Sequence, residues 1–241
     1  MEPGRGTVRD RAVPLEEGIH MRIIRYAAVL LTISTGLLVA GPARAADQNV
    51  LVEGALDGPA VAVGAEIAAS LRTGTSATFF NAPDSTTGVT CTTSSFTGTV
   101  LTNPAAGGIA TESLTGQTFA DCTSNTFGVT GVQSLTVGNL PYLASVDGTT
   151  KAVTVTATEV GPIQATVVLN TIIGTVDCTF EAAAAGFTGV AANEDNSITF
   201  TNQQFTWVTG STLCPTETYL SAAYAPVIVT SSPESPAVFV Q

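Results

Sequence analysis

Apolar residues alternate with threonine over several short stretches of the chain. In residues 151–159, Val153 and Val155 share one side while the intervening threonines share the other, and residues 175–181 repeat the pattern. Successive side chains of a β-strand point to opposite faces, so this alternation predicts strands with one face buried and the other in water. The same alternation occurs at 96–100, 135–137, 198–200 and 205–207.

Turn signals separate these stretches at short intervals, and many short strands with frequent turns are typical of all-β domains. We therefore predict an antiparallel β-sandwich over residues 46–229. Residues 61–71 and 182–185 are the segments most open to a helical interpretation. We predict that both are non-helical, because Gly64 interrupts the first and the second is too short for a stable helix. The turn signals lie at 57–59, 103–104, 107–108, 147–148, 161–162 and 193–197.

Residues 21–45 have the pattern of a secretory signal peptide. Arg22 and Arg25 precede an apolar stretch at 26–40, and Ala43-Arg44-Ala45 is an A-x-A cleavage pattern. The apolar stretch is shorter than the roughly 20 residues that span a bilayer. Residues 1–20 are then an extension that is either disordered or not translated at all, with synthesis starting at Met21. The purine-rich codons expected for residues 16–18 favour the second hypothesis, since they resemble a bacterial ribosome-binding site.

Removal of residues 1–45 leaves 196 residues with two cations, Arg72 and Lys151, against fifteen carboxylates, a formal charge of −13. Nucleic acids and anionic membrane surfaces bind through lysine and arginine, so neither is an expected partner. No apolar run of about 18 residues remains, and we therefore predict no membrane span. Charged residues are 11% and hydrophobic residues 44% of the full chain, a balance that favours a folded core over disorder. These features predict a secreted, extracellular protein.

The single histidine, His20, lies upstream of the cleavage site. Without it, the Ser-His-Asp and Cys-His arrangements and histidine-based metal hydrolysis lose an essential group. We predict no catalytic or cofactor-binding residues and a non-enzymatic protein. The alternative is a carboxylate-only hydrolase such as a glycosidase, which needs two acids at the right separation.

Four cysteines in an exported chain indicate two disulfides with three possible connectivities. Cys91 and Cys178 lie in similar local sequences, each followed by Phe-Thr-Gly, which we interpret as a turn. Each is followed further on by a second cysteine, Cys122 or Cys214. This echo favours the pairs Cys91–Cys122 and Cys178–Cys214. It also suggests a duplication with halves at 46–150 and 151–229, and residues 230–241 are predicted to be a flexible tail.

Two groups of side chains are candidate binding sites. Asn193, Glu194, Asp195 and Asn196 form the densest cluster of oxygen ligands and are a candidate calcium site, although a polar hairpin turn explains them equally well. Phe205 and Trp207 are a candidate platform for stacking a glycan, although a lone tryptophan of a small β domain more often packs in the core.

Five segments resemble an uncharacterised group of exported actinobacterial β proteins rich in threonine, alanine and glycine, known as hypothetical or signal-sequence domain proteins. The resemblance covers most of 50–226 and implies export and a β fold, without an activity. The composition is also similar to that of the neocarzinostatin-type chromophore carriers, by analogy only. The five segments are 51–54, 88–91, 127–132, 167–171 and 193–198.

Together these features predict a secreted binding or structural module. Its expected partner is an extracellular ligand or a component of the cell envelope. A small-molecule carrier is a further alternative, which a closed apolar cavity would favour.

Overall fold

The computed structural model describes residues 48–241, which form fifteen strands and no helix. The predicted extension at 1–20 and the signal peptide at 21–45 lie outside the described residues. No helix within 48–241 is long and apolar enough to cross a membrane. The strands are β1 (Leu51–Glu53), β2 (Glu66–Ser70), β3 (Ala77–Phe80), β4 (Gly88–Thr102), β5 (Ile109–Ser124), β6 (Val129–Gly138), β7 (Tyr142–Asp147), β8 (Ala152–Thr156), β9 (Gln164–Thr171), β10 (Gly174–Ala182), β11 (Phe187–Ala192), β12 (Ser197–Gly210), β13 (Glu217–Tyr224), β14 (Ile228–Val229) and β15 (Val238–Val240).

Five of the six alternating stretches lie within strands, as predicted, and the sixth, 151–159, contains β8 and extends beyond it at both ends. In β8, Val153 and Val155 are buried while the flanking residues are only partly so. In β10, Val176, Cys178 and Phe180 are buried on one face. Both segments that are open to a helical interpretation are non-helical: residues 61–71 contain β2, and residues 182–185 run from the last residue of β10 into a turn.

Eight of the strands close into a barrel. Antiparallel pairing runs β11-β8-β7-β5-β4-β3-β13-β12, and β12 pairs with β11 to complete the circuit. The prediction of an all-β antiparallel fold is confirmed. The predicted sandwich is wrong for these eight strands, because their sheet closes into a barrel. Period-two alternation shows that a strand has one buried face, and it cannot show whether the sheet closes on itself.

Strand β12 is the point at which the sheet divides. Its first residues, Ser197 to Phe200, pair with β11, whereas Phe205 to Gly210 pair with β10. Between these segments, the register of β12 against β13 shifts between Phe200 and Gln203. A bulge of this kind bends and twists a strand, which lets its two halves serve different neighbours. The result is a three-stranded extension, β10-β9-β6, beside one end of the barrel.

A separate two-stranded sheet, β1 with β15, lies against the other end. Leu51 pairs with Val240, and Val50, Leu51, Val238 and Val240 are all buried in the core. The prediction of a flexible tail at 230–241 is wrong for these last residues, because apolar side chains at alternate positions give them a buried face.

Both disulfides have the predicted pairing. Cys91 lies directly opposite Cys122 in the hairpin of β4 and β5, whereas Cys178 of β10 is joined to Cys214 in the loop between β12 and β13. The two disulfides therefore join different kinds of element. Strands from the two proposed halves also pair with one another, as β6 does with β9, and the duplication stays a prediction.

The two Phe-Thr-Gly segments lie inside β4 and β11, so their interpretation as turns is wrong. Gly98 stands at a register shift, and a Cβ on Gly189 would lie 2.7 Å from the ring of Phe200. Glycine is therefore used here for a bulge and for close packing rather than for a turn.

Candidate functional site

A cavity of about 440 Å³, here called the outer cavity, opens where the three-stranded extension meets the barrel. Its walls come from β3, β4, β6, β9, β10, β12 and β13, together with the loops that connect them. The inward faces of these strands are apolar because apolar side chains recur at alternate positions, as with Ala165, Val167 and Leu169 of β9. The volume lies within the range of about 300 to 1,000 Å³ that is usual for small-molecule sites.

The outer cavity is lined by apolar side chains and by no charged residue. Phe79, Phe180 and Phe205 supply aromatic surface, and Val167 and Leu169 of β9 supply aliphatic surface. The side-chain polar groups among the lining residues belong to Asn81, Thr126, Thr171 and Thr218. A site of this composition favours a neutral, mainly apolar molecule, since an ion would lose its hydration without gaining a counter-charge.

The Cys178–Cys214 disulfide forms part of the cavity wall. Cys178 is buried in β10, and Cys214 lies in the loop 211–216 beside Leu213 and Pro215, which also line the cavity. The backbone of this loop is held further by a hydrogen bond of 2.9 Å from the amide of Ser211 to the carbonyl of Asp177. The disulfide therefore fixes this loop in the cavity wall. Without it, the loop would be joined to β10 by a single backbone hydrogen bond.

A second, inner cavity of about 70 Å³ lies in the barrel. It shares Phe79, Ala165 and Phe205 with the lining of the outer cavity, so these side chains stand where the two spaces adjoin. Glu112 lines the inner cavity, where it faces inward from β5 between Val100 of β4 and Ala144 of β7.

Glu112 is a buried carboxyl in apolar surroundings. It is 7% exposed, and within residues 48–241 the one ion pair joins Arg72 to Asp195 rather than to this group. Burial raises the pKa of Glu112 to about 7, because the charged form is poorly solvated there. The carboxyl is therefore largely protonated in mildly acidic solution and ionises near neutrality.

The other polar side chains that line the inner cavity have hydrogen-bond partners, and two of them, Gln117 and Tyr224, belong to one network. The hydroxyl of Tyr224 lies 2.9 Å from that of Ser94 and accepts a hydrogen bond of 2.9 Å from Gln117. Ser94 in turn donates to the carbonyl of Thr118 at 2.7 Å. Burial raises the pKa of Tyr224, and its hydrogen bonds to Ser94 and Gln117 act against this rise. Glu112 is therefore the polar side chain of the inner cavity that has no hydrogen-bond partner in the described residues.

Glu112 was missed in the sequence, although a signal for it exists. Ala110, Glu112 and Leu114 share one face of β5, so the period-two pattern places an acid on a face that is otherwise apolar. Among the side chains that line the outer and inner cavities, it is the only acid. The facing pair of carboxyls that a glycosidase needs is thus not formed within these two cavities.

Phe205 and Trp207 do not form an exposed platform. They share the inward face of β12, where Phe205 is buried and lines both cavities, and Trp207 is partly buried against the core. The ring of Phe205 lies 5.9 Å from that of Phe187. The structure therefore places Phe205 in the cavity wall instead of on a glycan-binding surface.

The candidate calcium ligands at 193–196 lie in the turn between β11 and β12. Asn193 donates to the carbonyl of Val240 at 2.8 Å and accepts from its amide at 2.9 Å, and Asn196 donates to the carbonyl of Val238 at 2.8 Å. Asp195 is paired with Arg72 at 3.1 Å. The described part of the chain has no group of three His, Cys, Asp or Glu side chains arranged to hold a metal. The side chains of Asn193 and Asn196 therefore hold β15 in place.

Replacing Asn196 by alanine is expected to lower the free energy of unfolding by about 2 kcal/mol. The change removes a hydrogen bond to strand β15 and leaves alanine at a φ of 53°, a left-handed conformation that asparagine tolerates better. Thermal unfolding followed by circular dichroism measures the effect, with exposed Glu194→Ala as the matched control. A rise in Tm on adding Ca²⁺ that both variants abolish would instead show that the turn is a calcium site.

Comparisons with models of protein families, with curated proteins and with solved structures found no match to this chain. The resemblance to exported actinobacterial β proteins accordingly stays a prediction.

Proposed function

We propose that this chain is an extracellular binding protein that carries a neutral, apolar small molecule in its outer cavity. The observation that carries the proposal is a cavity of about 440 Å³ whose lining is apolar, partly aromatic and free of charged side chains. The core of a small β domain is normally packed without voids of this size, so a cavity this large is unusual unless it holds a ligand.

An extracellular location is supported by the two disulfides, which form and persist in oxidising compartments. The signal peptide predicted at 21–45 agrees with this location. A binding role without catalysis is supported by the lining itself, since it contains no acidic or basic side chain and its two cysteines are disulfide-bonded. The sequence predicted a binding or structural module, with a small-molecule carrier as an alternative, and we propose the carrier.

The proposal is tested with N-phenyl-1-naphthylamine, a neutral apolar probe whose fluorescence rises in an apolar site. We expect saturable binding at one site per chain. Replacing Val167 by tryptophan fills part of the cavity and is expected to weaken binding at least tenfold, because the probe then competes with the indole for the same space.

The matched control is Val190→Trp, which adds the same side chain at an exposed position of β11 and should leave binding unchanged. Equal affinity of the Val167→Trp variant and the native protein would refute a site in the outer cavity. If the Val167→Trp variant does bind the probe more weakly, native mass spectrometry of protein purified from its own culture supernatant is the experiment that identifies the natural ligand.

A further inference from the structure

The mouth of the outer cavity is surrounded by exposed apolar side chains, here called the apolar rim. It consists of Phe127, Ile172, Ile173 and Leu213, which are 98%, 74%, 76% and 63% exposed. Three of these are the most exposed large hydrophobic side chains of the described residues. They come from three separate connections: the loop between β5 and β6, the turn between β9 and β10, and the loop between β12 and β13.

Exposed apolar side chains are individually common, but their convergence from three loops around one opening is not expected by chance. None of them is needed to complete the core, since each remains exposed. The rim is thus a surface that gains free energy when something apolar covers it.

The charges around the rim exclude one class of partner. The connecting segments 125–128, 172–173 and 211–216 contain no charged residue. The two cations of the described chain are held at the other end of β12: Arg72 pairs with Asp195 before β12 begins, and Lys151 donates to the carbonyl of Val240 in β15. With no cation at the rim and a strongly acidic chain, an anionic surface would be repelled.

The size of the rim argues against a second copy of this chain. Its four side chains present at most roughly 600 Å², below the about 800 Å² that each partner of a stable complex usually buries. Two strongly acidic copies would also repel each other. A fluid apolar phase needs no complementary shape, so a small rim is sufficient for it.

We propose that the apolar rim docks on an uncharged lipid surface, that of a bilayer with zwitterionic headgroups. The inference rests in part on the proposed function, because a neutral apolar ligand partitions into lipid and the cavity mouth would then face that phase directly. Phe127 and the two isoleucines enter the interface, and the ligand passes between membrane and cavity without crossing water.

Flotation with phosphatidylcholine vesicles tests this docking. We expect the native protein to float with the vesicles, and expect the triple variant Phe127→Ser, Ile173→Thr, Leu213→Ser to lose at least tenfold in partition coefficient. Val63→Ser is the matched control, since Val63 is 65% exposed but does not line the cavity. Adding phosphatidylglycerol to the vesicles should weaken binding.

Three results would overturn the docking proposal: absence of native protein from the floated fraction, equal flotation of the triple variant, or stronger binding to phosphatidylglycerol. Dimerisation that the triple variant abolishes, seen by sedimentation velocity, would assign the rim to a second copy. The cavity-filled Val167→Trp variant separates the two proposals, because it should still float while it binds the probe poorly. If the native protein binds the probe but does not float, docking fails and the carrier stands.

Discussion

Replacing Glu112 by glutamine is expected to raise the free energy of unfolding by about 3 kcal/mol at pH 8 and to leave it almost unchanged at pH 4. The buried carboxyl has a pKa of about 7, above its usual value of 4.5. Between these two values the folded protein keeps a proton that the unfolded chain loses. The contribution of this group is therefore fully present below pH 4.5, falls as the pH rises to 7, and is lost above it.

The neutral amide removes this dependence because it has no charge to bury. Chemical denaturation of both proteins from pH 4 to pH 8 measures the difference in unfolding free energy at each pH, in which the titrations of other groups cancel. Exposed Glu159→Gln is the control, because it makes the same substitution at a carboxyl that is not buried. Glu112→Met, which needs no hydrogen bond, guards against an unsatisfied amide. If the difference for both Glu112 variants is the same at pH 4 and pH 8, the carboxyl is not in an apolar environment.

Removing the Cys178–Cys214 disulfide by a double substitution to alanine is expected to cost roughly 3 to 4 kcal/mol of unfolding free energy and also to weaken probe binding. The stability loss follows from the chain of 36 residues that the bond closes. The loss of binding has a separate cause: Cys214 anchors the loop that carries Leu213 and Pro215 in the cavity wall.

The Cys91–Cys122 pair is a matched control within the same chain. It closes a similar separation of 31 residues, so its removal should cost a similar free energy. These cysteines lie opposite each other in the hairpin of β4 and β5 and do not line the outer cavity, so probe affinity should be retained at temperatures where the variant is folded. Equal losses of affinity in the two double variants would show that general loosening, rather than the wall, controls binding.

The period-two pattern was sufficient to predict strands at the six alternating stretches, but it did not reveal β15 in the predicted tail. It works because each strand buries one face, as with Val153 and Val155 of β8. The disulfide pairing was also predictable, from the similar sequences around Cys91 and Cys178. Neither signal contains information on how the ends of the sheet meet.

The barrel closure and the outer cavity depend on contacts between residues far apart in the chain. Closure requires Ala191 to pair with Ile198 while β8 joins β7 to β11, and the cavity requires a division of the sheet at β12. An apolar residue that lines the cavity, such as Val167, occupies the same alternating positions as a residue packed in the core. The sequence pattern therefore does not distinguish the two. Glu112 was the exception, since an acid on an apolar strand face is visible in the pattern.

The pairing of β1 with β15 sets when the fold can be completed during synthesis. Residues 51–53 stand near the start of the described residues, and their partners at 238–240 are synthesised much later. Until then Leu51 and Val52 have no strand beside them, and the end of the barrel that β15 covers stays open. This sheet therefore depends on a contact of high sequence separation, and we expect it to form late in folding, after local hairpins such as that of β4 and β5.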